Sequence, residues 1–145
     1  MKIPFLIGRL VFGGFFLING VKHLKERKSY TGYAQSKNVP LAEAAVAATG
    51  VALIAGGTSI LLGIKPKIGA ATIAAFLGGV SPVMHDFWRI EDPQQRMHET
   101  INFTKNLALL GGALALLGVD EPWPVSVPIS QKEIEERGYE DLVAA

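Results

Sequence analysis

Four stretches of this chain stay almost free of charge for about the length of a bilayer crossing: 3–21, 41–64, 68–84 and 99–119. A helix needs about 20 mostly apolar residues to span the hydrocarbon core. Charged residues make up only 19% of the 145, against about 25% in an ordinary soluble domain. Hydrophobic residues reach 49%, and most of the 16 glycines lie inside the apolar runs. Mean hydropathy is +0.29. In a soluble helix each interior glycine costs about 1 kcal/mol against alanine. In lipid the same residue lets helix backbones approach. The expected fold is an all-α integral membrane bundle, four helices up-down-up-down, with short polar interfacial loops. It occupies 1–120, and 121–145 forms a proline-rich, acidic tail outside the membrane, with a capping box at Ser130 and Glu133 opening a short helix.

Composition also narrows the function. There is no cysteine, so disulfide exchange, thiolate metal sites and iron–sulfur ligation within the chain are excluded. A redox role would need a bound cofactor or a partner. A net charge of +1 leaves no footprint for nucleic acid. The N-terminal run is broken by Arg9 and followed by Asn19, Lys22 and His23, which is not the pattern of a cleavable signal. The chain is therefore expected in the cell membrane, multi-pass, in contact with the lipid bilayer.

Along the first run Arg9, Gly13, Phe16, Gly20 and His23 share one narrow helical stripe, which should face other helices. Arg9 alternatively snorkels to the near interface. The segment 22–38 is basic, with Tyr30 and Tyr33 suited to an interfacial layer, and predicts a short helix or structured loop at the membrane surface. Asn38 and Pro40 mark the start of the second span, with Glu43 placed to complement its dipole. Lys65–Lys67 reads as a tight turn, and Pro82 can kink the third span. Asp92–Pro93 reads as a turn before a fourth span beginning near Glu99.

Lys105 and Asn106 stand at the head of the apolar part of that fourth span. A lysine there is costly in lipid and points to a partner or a function. Antiparallel connectivity gathers His23, His85, His98, Asp86, Lys105, Asn106, Tyr30 and Tyr33 on one membrane face. Two readings follow. These groups form a polar pocket, with an apolar slot for a quinone ring and donors at its carbonyls. Alternatively Lys105 and Asp86 pair to clamp the third and fourth helices. Residue types alone allow a metal site at His23, His85, His98 and Asp86, but no ligand spacing supports it. Haem would need facing histidines within the bundle, whereas these lie at helix ends. Neither metal nor haem is expected. The basic cluster after the first span favours loops one and three on the cytoplasmic side.

Four motifs in order then carry a likeness: GRLVFGGFFLINGVKHL at 8–24, the GG-x₃-LLG pattern from Gly56 to Gly63, MHDFW at 84–88 and FTKNLALLGG at 103–112. Together, over Ile7 to Gly118, they resemble the DoxX/DoxD family of small four-helix membrane proteins. The family's namesake is similar to the membrane subunit of a thiosulfate:quinone oxidoreductase, and other relatives partner redox or detoxification proteins. The resemblance implies a membrane subunit that contacts quinone and a soluble or membrane oxidoreductase. Its motif positions map here to Arg9, Lys22, His23, His85, Asp86, Lys105 and Asn106. It assigns no catalytic residue. The alternative is a non-enzymatic membrane scaffold or adaptor that recruits a partner protein.

Overall fold

The computed structural model describes residues 2–128. It contains five α-helices: α1 (Lys2–Lys25), α2 (Arg27–Ser36), α3 (Ala42–Leu62), α4 (Pro66–Met84) and α5 (Pro93–Leu117). A single 3₁₀ turn, Phe87–Arg89, joins α4 to α5. Four helices are long and apolar enough to cross a membrane: α1, α3, α4 with the turn after it, and α5. The short connections make each crossing antiparallel to the one before. Helix α2 carries the basic segment and lies against α3 and α1 at one end of the bundle.

Three helix starts differ from the sequence expectation, each for a local reason. Helix α3 begins at Ala42, because Leu41 sits in the left-handed region and Pro40 stays outside. Helix α4 already begins at Pro66, since proline's fixed φ and missing N–H suit a first turn. Helix α5 begins six residues early: Asp92 is its cap, accepting from the Gln95 backbone N–H at 2.8 Å, with Pro93 next. His98 and Glu99 are therefore inside the helix.

Glycine decides how the helices meet. A Cβ on Gly57 of α3 would lie 2.6 Å from the Leu17 amide nitrogen and 2.7 Å from the Gly13 carbonyl of α1. One on Gly20 would lie 2.7 Å from the Gly50 carbonyl. On its other side α3 meets α4 at Gly56 and Gly69, where a Cβ on Gly69 would fall 2.7 Å from the Gly56 carbonyl. Helix α3 is thus the central member, with backbone-to-backbone packing on two faces. Not every glycine takes part: Gly14, Gly78, Gly79 and Gly111 face open space. The stripe expected on α1 does turn inward, with Arg9, Gly13, Phe16 and Gly20 buried and His23 half-buried. Phe16, Leu53, Ile60, Ile73, Leu77 and Ala113 form the core.

The chain after α5 returns across the end of the bundle remote from α2. Trp123 is 1% exposed and joins the core, meeting Phe5 edge-on at 5.3 Å. Arg9 is buried and donates to the carbonyls of Leu61 (3.1 Å), Pro124 (2.8 Å) and Val125 (2.9 Å). The Leu61 carbonyl belongs to the C-terminus of α3, where the helix dipole is negative and suits a cation. Val127 N–H bonds the Leu62 carbonyl, and the Lys67 N–H bonds Glu121. So Arg9 does not snorkel, and the first part of the tail is a strap over the bundle. The terminal helix expected after Ser130 lies outside the described residues.

Substitution of Gly57 by Ala should destabilise the bundle by about 1–3 kcal/mol, because overpacking must push α1 from α3. Gly14→Ala, with nothing within 4 Å of the added carbon, should leave stability unchanged. Unfolding of the two variants in detergent micelles checks this; equal effects would show that the α1–α3 approach is not limiting.

Candidate functional site

The site grows from the way four helix segments end near α2. At the C-terminus of α1, the Asn19 amide donates to the Phe15 carbonyl at 2.7 Å, and the Asn19 carbonyl is 2.8 Å from His23 Nδ1. A carbonyl can only accept, so Nδ1 is the donor here. Nε2 has no hydrogen-bond partner among the described residues. The ring stacks on Tyr30 of α2 at 4.2 Å between centroids. Burial, and behind it the charge of Glu26, pushes the Tyr30 phenol up from its ordinary pKa.

Across the bundle, α4 ends at Met84 and leaves His85 as its C-cap. His85 Nδ1 stands 2.6 Å from Glu99 Oε2 on α5. Tyr33 of α2 donates to Glu99 Oε1 at 3.3 Å and to the Met84 carbonyl at 3.2 Å. Glu99 is 7% exposed, so this carboxylate holds the ends of α2, α4 and α5 together. Burial first, and then the Glu99 charge, pushes the Tyr33 phenol up to about 12, which keeps it a donor.

Between these groups lies a cavity of about 220 Å³. Its floor is apolar, from Phe16, Leu53, Phe76, Leu77 and Leu109, and α2 roofs it with Tyr30 and Tyr33. Its polar lining is Asn19, His23, His85, Lys105 and Asn106 with the two tyrosines. Lys105 reaches only Asn102 Oδ1, at 3.3 Å, and makes no ion pair among the described residues. The half-buried Asn106 amide has no hydrogen-bond partner there. Phe15 and Lys105 both line the cavity and are both exposed, so its mouth opens sideways between α1 and α5.

Four of the six residues singled out by sequence meet in this cavity: His23, His85, Lys105 and Asn106. Arg9 does not, since it closes the opposite end of the bundle. Asp86 does not pair with Lys105. It is turned outward by the 3₁₀ turn and binds Lys37 at 2.6 Å, both side chains largely buried. Lys105 lies six residues beyond Glu99, the residue that meets His85, and so about 9 Å further along the helix axis at 1.5 Å per residue. His98 also stays out; its side chain is 73% exposed. Among the described residues no three His, Asp or Glu side chains gather as metal ligands. Trp88 packs edge-on with Phe87 and Phe103 and is half exposed, as an interfacial aromatic should be.

Two further residues, Glu99 and Lys37, join the site's polar network without standing out in the sequence. Glu99 reads there as the polar beginning of a span, although Glu99, Asn102 and Asn106 recur at helical spacing and so share a face. Lys37 is one of several cations in the basic segment 22–38.

The DoxX family model matches residues 5–86, which take in the first three spans, α2, His23 and His85, and end before Glu99, Lys105 and Asn106. No curated protein and no solved structure matches the chain.

Because the folded pKa of Tyr33 lies above the ordinary 10, its protonated contacts contribute fully below about pH 10. That contribution is lost as pH rises through about 12. Tyr33→Phe should therefore show a smaller alkaline loss of stability than the wild type between these values, read from unfolding in detergent across pH. Superimposable profiles would show that Tyr33 is not tied to Glu99.

Proposed function

The chain belongs to the DoxX family, and on that premise we propose that this multi-pass membrane protein is a redox-associated subunit that holds a quinone headgroup in the cavity beside α2. Electrons would come from a partner oxidoreductase, since the chain has no cysteine to carry them. The observation that carries the reading is that Lys105 and Asn106 stand together at the edge of an apolar cavity, the first with no counter-ion and the second with no hydrogen-bond partner among the described residues. Buried or membrane-embedded polar groups are seldom left in that condition without a role.

Size supports a headgroup rather than a whole lipid. Sites that enclose a drug-sized molecule run to roughly 300–1,000 Å³, and about 220 Å³ suits one ring with its tail outside. The mouth between Phe15 and Lys105 would let such a tail pass into the bilayer. A quinone, when bound, accepts two electrons and two protons. The residues divide that work by position. Lys105 and Asn106 donate hydrogen bonds to a carbonyl oxygen. His23 and His85 each commit Nδ1 to a fixed partner, which leaves Nε2 to exchange a proton with the cavity. The aromatic floor and Tyr30 exclude water from the ring.

A second reading, the scaffold that recruits a partner, draws on α5. Only 6% of its most apolar stretch is buried, against 33% for α3, so α5 offers the most surface to a neighbouring membrane helix.

Lys105→Met should weaken binding of decylubiquinone by about 10- to 100-fold, the range expected for one charged hydrogen bond of about 1.5–3 kcal/mol. Helix content should be unchanged, because among the described residues the Lys105 ammonium bonds only Asn102 of its own helix. Binding to the protein in nanodiscs measures it. Equal affinity in the two proteins would reject the site, and loss of assembly with a co-purifying protein would favour the scaffold.

A further inference from the structure

His85 and Glu99 are hydrogen-bonded neighbours that open onto different spaces. Outside the cavity, towards the membrane surface, lies a polar cleft of about 550 Å³ between the end of α2, the 3₁₀ turn and the start of α5. Glu99 lines this cleft and not the inner cavity; His85 lines the inner cavity and not the cleft. Tyr33 borders both. The 2.6 Å contact between His85 Nδ1 and Glu99 Oε2 is therefore a polar link through the wall dividing the two spaces. A carboxylate and an imidazole that served only to clamp helices would not need one face each on separate openings.

We propose that Glu99 and His85 form a proton relay from the surface cleft to the inner cavity. The relay rests on the quinone reading only for the identity of the final proton acceptor. The other groups around Glu99 are consistent with this direction. Tyr33 from α2 holds Oε1 at 3.3 Å and, with its phenol kept protonated, orients the carboxylate without acting as a base. His98 on the same helix is exposed at 3.8 Å from Oε1, within reach of water. Lys37, from the loop after α2, is bound to Asp86 at 2.6 Å, and Arg89 also lines the cleft; among the described residues neither cation forms an ion pair with Glu99.

The transfer balances. A proton from water in the cleft joins Glu99, and Glu99 passes a proton from Oε2 to His85 Nδ1. His85 releases the proton on Nε2 into the cavity. One proton enters and one leaves, Glu99 is again a carboxylate, and His85 resets by a flip of its ring that turns the remaining N–H toward the cavity.

The test uses the full chain in nanodiscs with ¹⁵N-labelled histidine, following exchange of the imidazole protons with water by NMR. His23, which makes no contact with Glu99, supplies the internal control. Glu99→Gln keeps the shape and the hydrogen bond but cannot carry a proton. It should slow exchange at His85 at least tenfold and leave His23 unchanged, and Glu99→Asp should restore much of the rate. Unchanged exchange at His85 in Glu99→Gln would overturn the relay, as would equal slowing at His23, which would mark a general stiffening. Should Glu99→Gln not fold, Glu99→Met takes its place: slowed exchange at His85 alone supports the relay, and an unchanged rate at His85 overturns it. Decylubiquinone affinity is measured on the same samples. Failure of the wild type to bind it rejects the quinone site while the exchange result at His85 still stands.

Discussion

The bundle depends on how closely α1 can approach α3. Lipid provides little hydrophobic drive between helices, so association comes from packing and from backbone contact. Gly13 and Gly20 on one helix and Gly50 and Gly57 on the other bring the two backbones into direct contact. Large side chains on α1 must then be accommodated elsewhere, and Phe12, Phe15 and Phe16 turn towards α5 or the lipid. Phe12 reaches Gly112 of α5, which closes the middle of that seam. Nearer α2 the seam is left open. The cavity is what remains between a tight helix pair and a looser neighbour.

Polar chemistry at the open end is arranged around one carboxylate. Glu99 holds Tyr33 and His85 and thereby fixes α2 as a roof. Asp86, next in sequence to His85, is occupied by Lys37. The two acids are thus used up by neighbours, and the cation at the cavity, Lys105, is left facing a space rather than a partner. By contrast the exposed pair of Arg27 and Glu43, at 2.8 Å, contributes little, since solvent-exposed ion pairs are worth about 0–1 kcal/mol.

The architecture was legible because lipid imposes a length and a composition that soluble folds do not share. The four spans, the inward stripe from Arg9 to His23 and the surface helix after it could all be read from residue order. Connectivity alone also put His23, His85, Lys105 and Asn106 at one end. Pairing was less legible. Which base meets which acid depends on where a helix starts, and Asp92 moved the start of α5 by two turns, drawing Glu99 inside. Arg9 could not be placed either, because its partners are backbone carbonyls of residues 52, 115 and 116 positions away, and carbonyls leave no mark in a sequence. Trp123 was hidden for a related reason: its burial rests on Phe5 and the bundle core, which are distant in sequence.

The strap makes the two ends of the bundle mechanically unlike. At one end Arg9 draws α1, the end of α3 and the returning chain into a single knot, with Trp123 filling the space between. At the other, the helices are joined through side chains that border cavities. The bundle is therefore asymmetric along its axis: hydrogen bonds to backbone carbonyls close the end at Arg9, and a cavity borders Phe15 and Lys105 at the other.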